Sequence, residues 1–145
     1  MEGFYKAVAE RLRLRCPALI QVETGTDARQ AAEMLALGPD VTALVTPLAD
    51  RADPVTEASF MVSQTERWRF AVTLALTFPG GFEQFEPARD QLKAALRGWS
   101  PPEAATPIQY AGSSLLQYSA GQDGGRWLHL FEFSLTFQAT YGHQS

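Results

Sequence analysis

RWRFAVTLALTF at residues 67–78 and RWLHLFEFSLTFQ at residues 126–138 alternate large apolar side chains with small or polar ones. In the first stretch Trp68, Phe70, Val72, Leu74, Leu76 and Phe78 interleave with Arg69, Ala71, Thr73, Ala75 and Thr77. In the second, Trp127, His129, Phe131, Phe133, Leu135 and Phe137 stand against Glu132, Ser134, Thr136 and Gln138. Successive strand side chains point to opposite faces, so this period of two predicts half-buried antiparallel strands with one heavily aromatic face.

Working outward, helical spacing takes over. Phe4, Tyr5, Val8, Ala9 and Leu12 recur on one stripe, with Lys6, Glu10, Arg11 and Arg13 opposite, which predicts an amphipathic helix over residues 3–15. Pro17 blocks its continuation, and Ala18–Val22 is expected to be the first strand. Asp27 with Gln30 has capping-box spacing, and the alanine-rich segment behind it predicts a helix reaching Leu37, stopped by Gly38 and Pro39. Val41–Leu48 reads as a core strand. Residues 49–57, ADRADPVTE, read as an exposed charged loop.

Ala58–Gln64 is a further strand that runs almost directly into the Trp68 stretch. Thr65–Arg67 is either a tight reversal or a bulge in one long strand, since no Asn-Gly or Asp-Gly marks a hairpin. Phe85, Ala88, Leu92, Ala95 and Leu96 predict a helix over residues 84–97, with Gly98 as the left-handed residue after it and Trp99 folding back. Ile108–Tyr118 follows as a strand, with Tyr110, Leu116 and Tyr118 on one side and Gly112–Ser114 suggesting a bulge. The loop at residues 120–125 returns the chain as a long hairpin. This order implies one domain spanning residues 1–145, of α+β class: a mainly antiparallel sheet with helices packed on one face.

Composition narrows the function classes. A chain of 145 residues that is 46% hydrophobic and 19% charged can bury a real core and is not a disordered segment. Twelve basic against 16 acidic residues leave a net charge of −4, which offers no general attraction for nucleic acid. A single cysteine, Cys16, excludes an intrachain disulfide and fits a reducing compartment. No signal-type apolar run follows the basic N-terminal segment, and no stretch approaches the roughly 18 apolar residues of a membrane span.

Chemistry is sparse. His129 lies in a strand, on the aromatic face, and His143 lies near the end of the chain, neither with metal-ligand spacing, so no metal or cofactor is expected. Gly80-Gly81 and Gly124-Gly125 lack the phosphate-cradling motifs and are read as turns. Gly112-Ser113-Ser114 is not a nucleophile elbow. Asp50, Asp53 and Glu57 miss the calcium-loop pattern. Cys16, flanked by Arg15, is expected to be a small core residue rather than a reactive thiol, and Trp68, Trp99 and Trp127 core or rim aromatics.

The N-terminal amphipathic helix, SQTERWRFAVTLAL at residues 63–76, LKAALRGWSPP at residues 92–102 and WLHLFEFSLTFQATY at residues 127–141 together resemble the tail terminator (tail completion, or minor tail) proteins of long-tailed phages. The resemblance spans nearly the whole chain in order and rests on structural patterns. It implies a non-enzymatic virion protein, assembled in the bacterial host cytoplasm, that forms a ring, typically hexameric. Such a ring caps the head-proximal end of the tail tube, ends its polymerisation and meets the head-completion or connector protein. No residue here matches a family binding signature. Arg51, Glu57, Arg67, Phe82 and Arg126 are therefore proposed from their loops and charge as subunit or tube contacts. Two alternatives stand beside this reading: another head-tail connector or tube-like component, and a small ligand-binding domain or enzyme that uses the aromatic face with His129.

Overall fold

The computed structural model describes residues 3–25, 33, 41–52, 54, 56–58, 61–78, 82–121 and 124–142. Among the described residues two helices, α1 (Phe4–Arg15) and α2 (Phe85–Leu96), accompany six strands. These are β1 (Gln21–Thr24), β2 (Thr42–Ala52), β3 (Thr56–Ala58), β4 (Met61–Phe78), β5 (Gln109–Gly121) and β6 (Gly124–Gly142). They form one sheet in the order β1-β2-β4-β6-β5, with β3 pairing β4 off this path. Among the described strands only the β1–β2 pair is parallel. The α+β expectation, a mainly antiparallel sheet with helices on one face, holds.

The two alternating stretches are sheet neighbours. β4 and β6 pair without a register break from Met61↔Gly142 to Phe78↔Gly125. Directly opposed residues share a face, so Phe70 with Phe133 and Val72 with Phe131 put both aromatic rows on the side that α1 and α2 cover. Phe4 of α1 meets Trp68, Phe70 and Phe137 edge-on at 5.4–5.7 Å between ring centroids. Phe85 of α2 reaches Trp127, His129 and Phe131 further along β6. The two helices are tied where the Arg11 guanidinium lies over Trp99 and donates to the Ala95 carbonyl at 2.6 Å. On the opposite face the side chains are small: Ala71, Thr73 and Ala75 are buried there together with Thr42 and Leu44 of β2.

Several boundaries differ from expectation. The first strand is Gln21–Thr24, because Cys16–Leu19 closes a turn through Leu19 N–H to Cys16 O before the chain extends. The region read as a loop at residues 49–57 is largely strand. β2 continues through Pro47 and a register shift between Pro47 and Ala49 to pair Asp50 with Trp68 and Arg51 with Arg67, and β3 pairs Thr56–Ala58 with β4. Charge and proline mark edge strands as well as loops, since both discourage further pairing. The carbonyls of Val41 and Val45 face β1, so Pro47, two residues on, turns its missing N–H to the same outer edge.

Thr65–Arg67 is neither a reversal nor a bulge; it lies inside the unbroken β4 ladder. In β5 the breaks fall between Tyr110 and Gly112 and between Leu115 and Gln117, so Leu116 is an inserted residue and Leu115, not Leu116, pairs with His129. The β5–β6 hairpin pairs as far as Gly121 and Gly124. The end of α2 also differs in detail. Gly98 adopts φ +85°, yet its N–H donates to Ile108 O at 2.9 Å instead of back into the helix, and Ile108 N–H returns to Trp99 O. The helix predicted from Asp27 to Leu37 lies outside the described residues apart from Glu33.

β4 has 18 residues, about 60 Å at roughly 3.3 Å per residue, whereas a compact chain of this length has a radius of gyration near 15 Å. Its described core residues run from Phe70 to Leu76. The strand therefore overhangs the helix layer, and its Met61–Arg67 end is flanked by β2–β3 on one side and the last third of β6 on the other.

Candidate functional site

Among the described residues the aromatic face offers no open platform, because Phe70, Phe131, Phe133 and Leu135 are core residues beneath the helices. His129 is half-buried between Phe85 and Phe131, at 5.0 and 5.1 Å between rings. Burial, with a lesser contribution from the Arg89 guanidinium, holds its pKa below the usual 6.5, so it sits there neutral. Cys16 is buried, and desolvation pushes its thiol up to about 11 despite the opposing charge of Arg11. Among the described residues no group of three or more His, Cys, Asp or Glu could hold a metal ion. Trp68, Trp99 and Trp127 pack against the core as expected.

Two concave surfaces stand out among the described residues. An open groove of about 630 Å³ between α1 and the β1–β2 end is lined by Tyr5, Lys6, Arg13, Glu23 and Pro47 among others. Arg13 is committed there, donating to Val22 O at 3.0 Å and facing Glu23 at 3.5 Å.

The second, about 420 Å³, lies at the overhanging end of the sheet and is lined by Thr65, Arg67, Thr106, Gln109, Ser134, Leu135 and Thr136. Its floor is a set of hydroxyls and amides on the face away from α1 and α2, where Arg67 pairs with Thr136 and Thr65 with Gln138. Thr65 Oγ1 donates to Gln138 Oε1 at 2.9 Å, and the Gln138 amide bonds Ser63. The linker after α2 forms one wall: Ala105 N–H donates to Thr136 O, and Thr136 N–H to Thr106 Oγ1 at 3.0 Å. Arg67 is exposed at the rim, and Arg51 occupies the register position directly opposite it in β2. One step along β4, Arg69 makes an ion pair with Glu132.

The five residues proposed from sequence thus divide between the two ends of the sheet. Arg51, Glu57 and Arg67 belong to the overhanging end, where Arg51 pairs in register with Arg67 and Glu57 with Val62. Arg126 pairs with Thr77 at the other end, and Phe82 opens the short 3₁₀ turn before α2. Sequence reasoning missed Thr106, Gln109 and Thr136, the hydroxyl and amide walls of the cleft. Thr136 and Ser134 were visible as the polar alternate of the β6 run, but their meeting with Thr106 depends on the path of the linker.

The sequence model of the family described as phage tail terminator protein matches residues 5–141. The chain belongs to the phage tail terminator family. That membership gives the protein a structural role in the phage tail and makes it a virion component that meets tail and head parts. No curated protein matches the chain. Among the solved structures that are similar, one covers 99% of this chain and 94% of its own length, at 16% identity and a TM-score of 0.46. Among the described residues no helix is long and apolar enough to cross a membrane.

Proposed function

We propose that this terminator-family protein forms a ring, hexameric as the resemblance implies, on the head-proximal end of the tail tube. There it ends tube growth and offers a surface to the head-completion or connector protein. The ring assembles in the host cytoplasm, has no catalytic activity and needs no cofactor. Its subunit and tube contacts draw on Arg51, Glu57, Arg67, Phe82 and Arg126.

The observation that carries this reading is the match to the family over residues 5–141. The sheet edges support it physically. A cap must join its neighbours without offering a strand template on which another tube subunit could continue. β5 is broken by two register shifts, and β2, where β1 no longer covers it, carries Pro47 and a bulge. Both devices interrupt the ladder of N–H and C=O groups that strand addition needs.

Adding the purified protein to polymerising tail tube subunits tests this. Tubes that stop lengthening, with density for the protein at one end only, support termination. Unchanged growth, with the protein absent from tube ends, rejects it.

A further inference from the structure

The strand edges of this sheet are not treated alike. Among the described residues, β2 beyond β1 carries Pro47 and a register shift, β5 carries two register shifts, and the Val22 carbonyl of β1 is taken by the Arg13 guanidinium. Each device spoils a template for strand addition. The last residues of β6 have none. β5 accompanies β6 only as far as Gln109↔Ser134, and the linker continues beside it to the Ala104↔Phe137 bridge. Past that bridge, among the described residues, β6 pairs on its β4 side alone as far as Gly142. QATYG at residues 138–142 contains no charge and no proline, nor does its ladder partner MVSQT at residues 61–65.

The register fixes which backbone groups face outward. Thr136 turns both of its groups to the linker, accepting from Ala105 N–H at 2.8 Å and donating to Thr106 Oγ1 at 3.0 Å. Alternate residues of a strand face the same side, so Thr140 presents its N–H and carbonyl to the open edge. Across the ladder Arg67 lies opposite Thr136, so Arg67, and with it Ser63 and Met61, turn their backbone groups towards β2 and β3. Thr56 and Ala58 therefore bond β4, which leaves the Glu57 N–H and carbonyl on the outer side of β3.

Glu57 and Thr140 thus lie on the two opposite edges of one three-stranded end and at nearly the same height, Glu57 paired with Val62 and Thr140 with Ser63. β4 holds them two strand spacings apart, roughly 10 Å, so they cannot meet within one molecule. β3 and β6 both run antiparallel to β4 and hence parallel to each other. A second copy rotated about an axis along these strands brings its β3 beside the first copy's β6, at matching height and in parallel pairing. Repetition of such a head-to-tail step consumes both edges of every copy once the rotation closes.

We propose that the Gln138–Gly142 edge of β6 receives the Thr56–Ala58 edge of β3 from a neighbouring copy, making one sheet continuous across subunits. This rests on the ring reading above and adds which edges meet.

Hydrogen exchange and one substitution test it. Exchange read at single amides by mass spectrometry should slow at least about tenfold at Glu57 and Thr140 when dilute subunits assemble. Thr140→Pro deletes an N–H of the open edge and leaves the bonds to β4 in place. Its melting temperature should stay near that of wild type while its association weakens by about tenfold or more. Rings in which both amides exchange as in the free subunit would overturn the proposal and leave the ring reading intact, as would a folded Thr140→Pro that assembles like wild type. Should Thr140→Pro fail to fold, exchange in the wild type decides alone. Protection of Thr140 that arises only when tube subunits are added would give the edge to the tube protein and equally overturn it. A wild type monomeric at every concentration and on tube ends would remove the ring reading and this contact with it.

Discussion

Trp68 lies against Phe137 at 4.5 Å between ring centroids, and its indole Nε1 is buried without a hydrogen-bond partner. The indole contributes packing against Phe4, Tyr5 and Phe137 while its N–H carries a desolvation cost of about 1–3 kcal/mol. Trp68→Phe removes both the orphan donor and some area, so its stability should fall within about 1 kcal/mol of wild type. Trp68→Ala also removes the donor but gives up nearly all of the packing, and should lose about 3 kcal/mol. Urea unfolding of the two variants separates the terms; equal losses would mean that the N–H finds a partner.

At the end of α2 the position of Gly98 is set by its backbone. Its φ of +85° disfavours any side chain, although a Cβ there would meet nothing within 4 Å. Gly98→Ala should cost about 1–2 kcal/mol, all of it conformational. A melting temperature unchanged from wild type would show that the turn relaxes to negative φ.

His129 makes stability depend on pH in a defined direction. Its folded pKa lies below 6.5, so as pH falls through 6.5 the unfolded chain binds a proton that the folded chain refuses. Stability is therefore fully present above pH 6.5 and declines as pH drops towards the folded value. Denaturation midpoints measured at pH 7.5 and 5.5 should fall more for the wild type than for His129→Gln. Equal falls would assign the effect to other groups.

Cys16, with its thiol near pKa 11, is almost wholly protonated at pH 8. Native protein should react with a disulfide reagent at least about 100-fold more slowly than protein unfolded in urea, because the thiolate is the nucleophile and the site is closed. Rapid labelling without denaturant would contradict the burial of this residue.

How far the fold can be read from sequence follows from which forces are local. The period of two in residues 68–78 and 127–137 and the helical stripes of Phe4–Leu12 and Phe85–Leu96 report the core directly, because each apolar row must be buried on one side. The pairing of Arg51 with Arg67 was not legible. Residues 49–57 carry the charge and proline that serve loops and edge strands alike, and only the tertiary ladder distinguishes them. The register at Leu115 and Leu116 failed for a related reason: a bulge inserts a residue that has no signature beyond nearby glycine and serine. Arg67 was singled out for its charge, but the cleft around it depends on the residue 104–109 linker crossing beside β6, a contact some thirty residues distant in sequence that no periodicity encodes.

The most direct measurement is electron microscopy of tails assembled with this gene intact and with it deleted. Termination by this protein predicts overlong or headless tubes in the deletion, returned to normal length and attachment by added protein. Tails of normal length joined to heads without it would contradict that role.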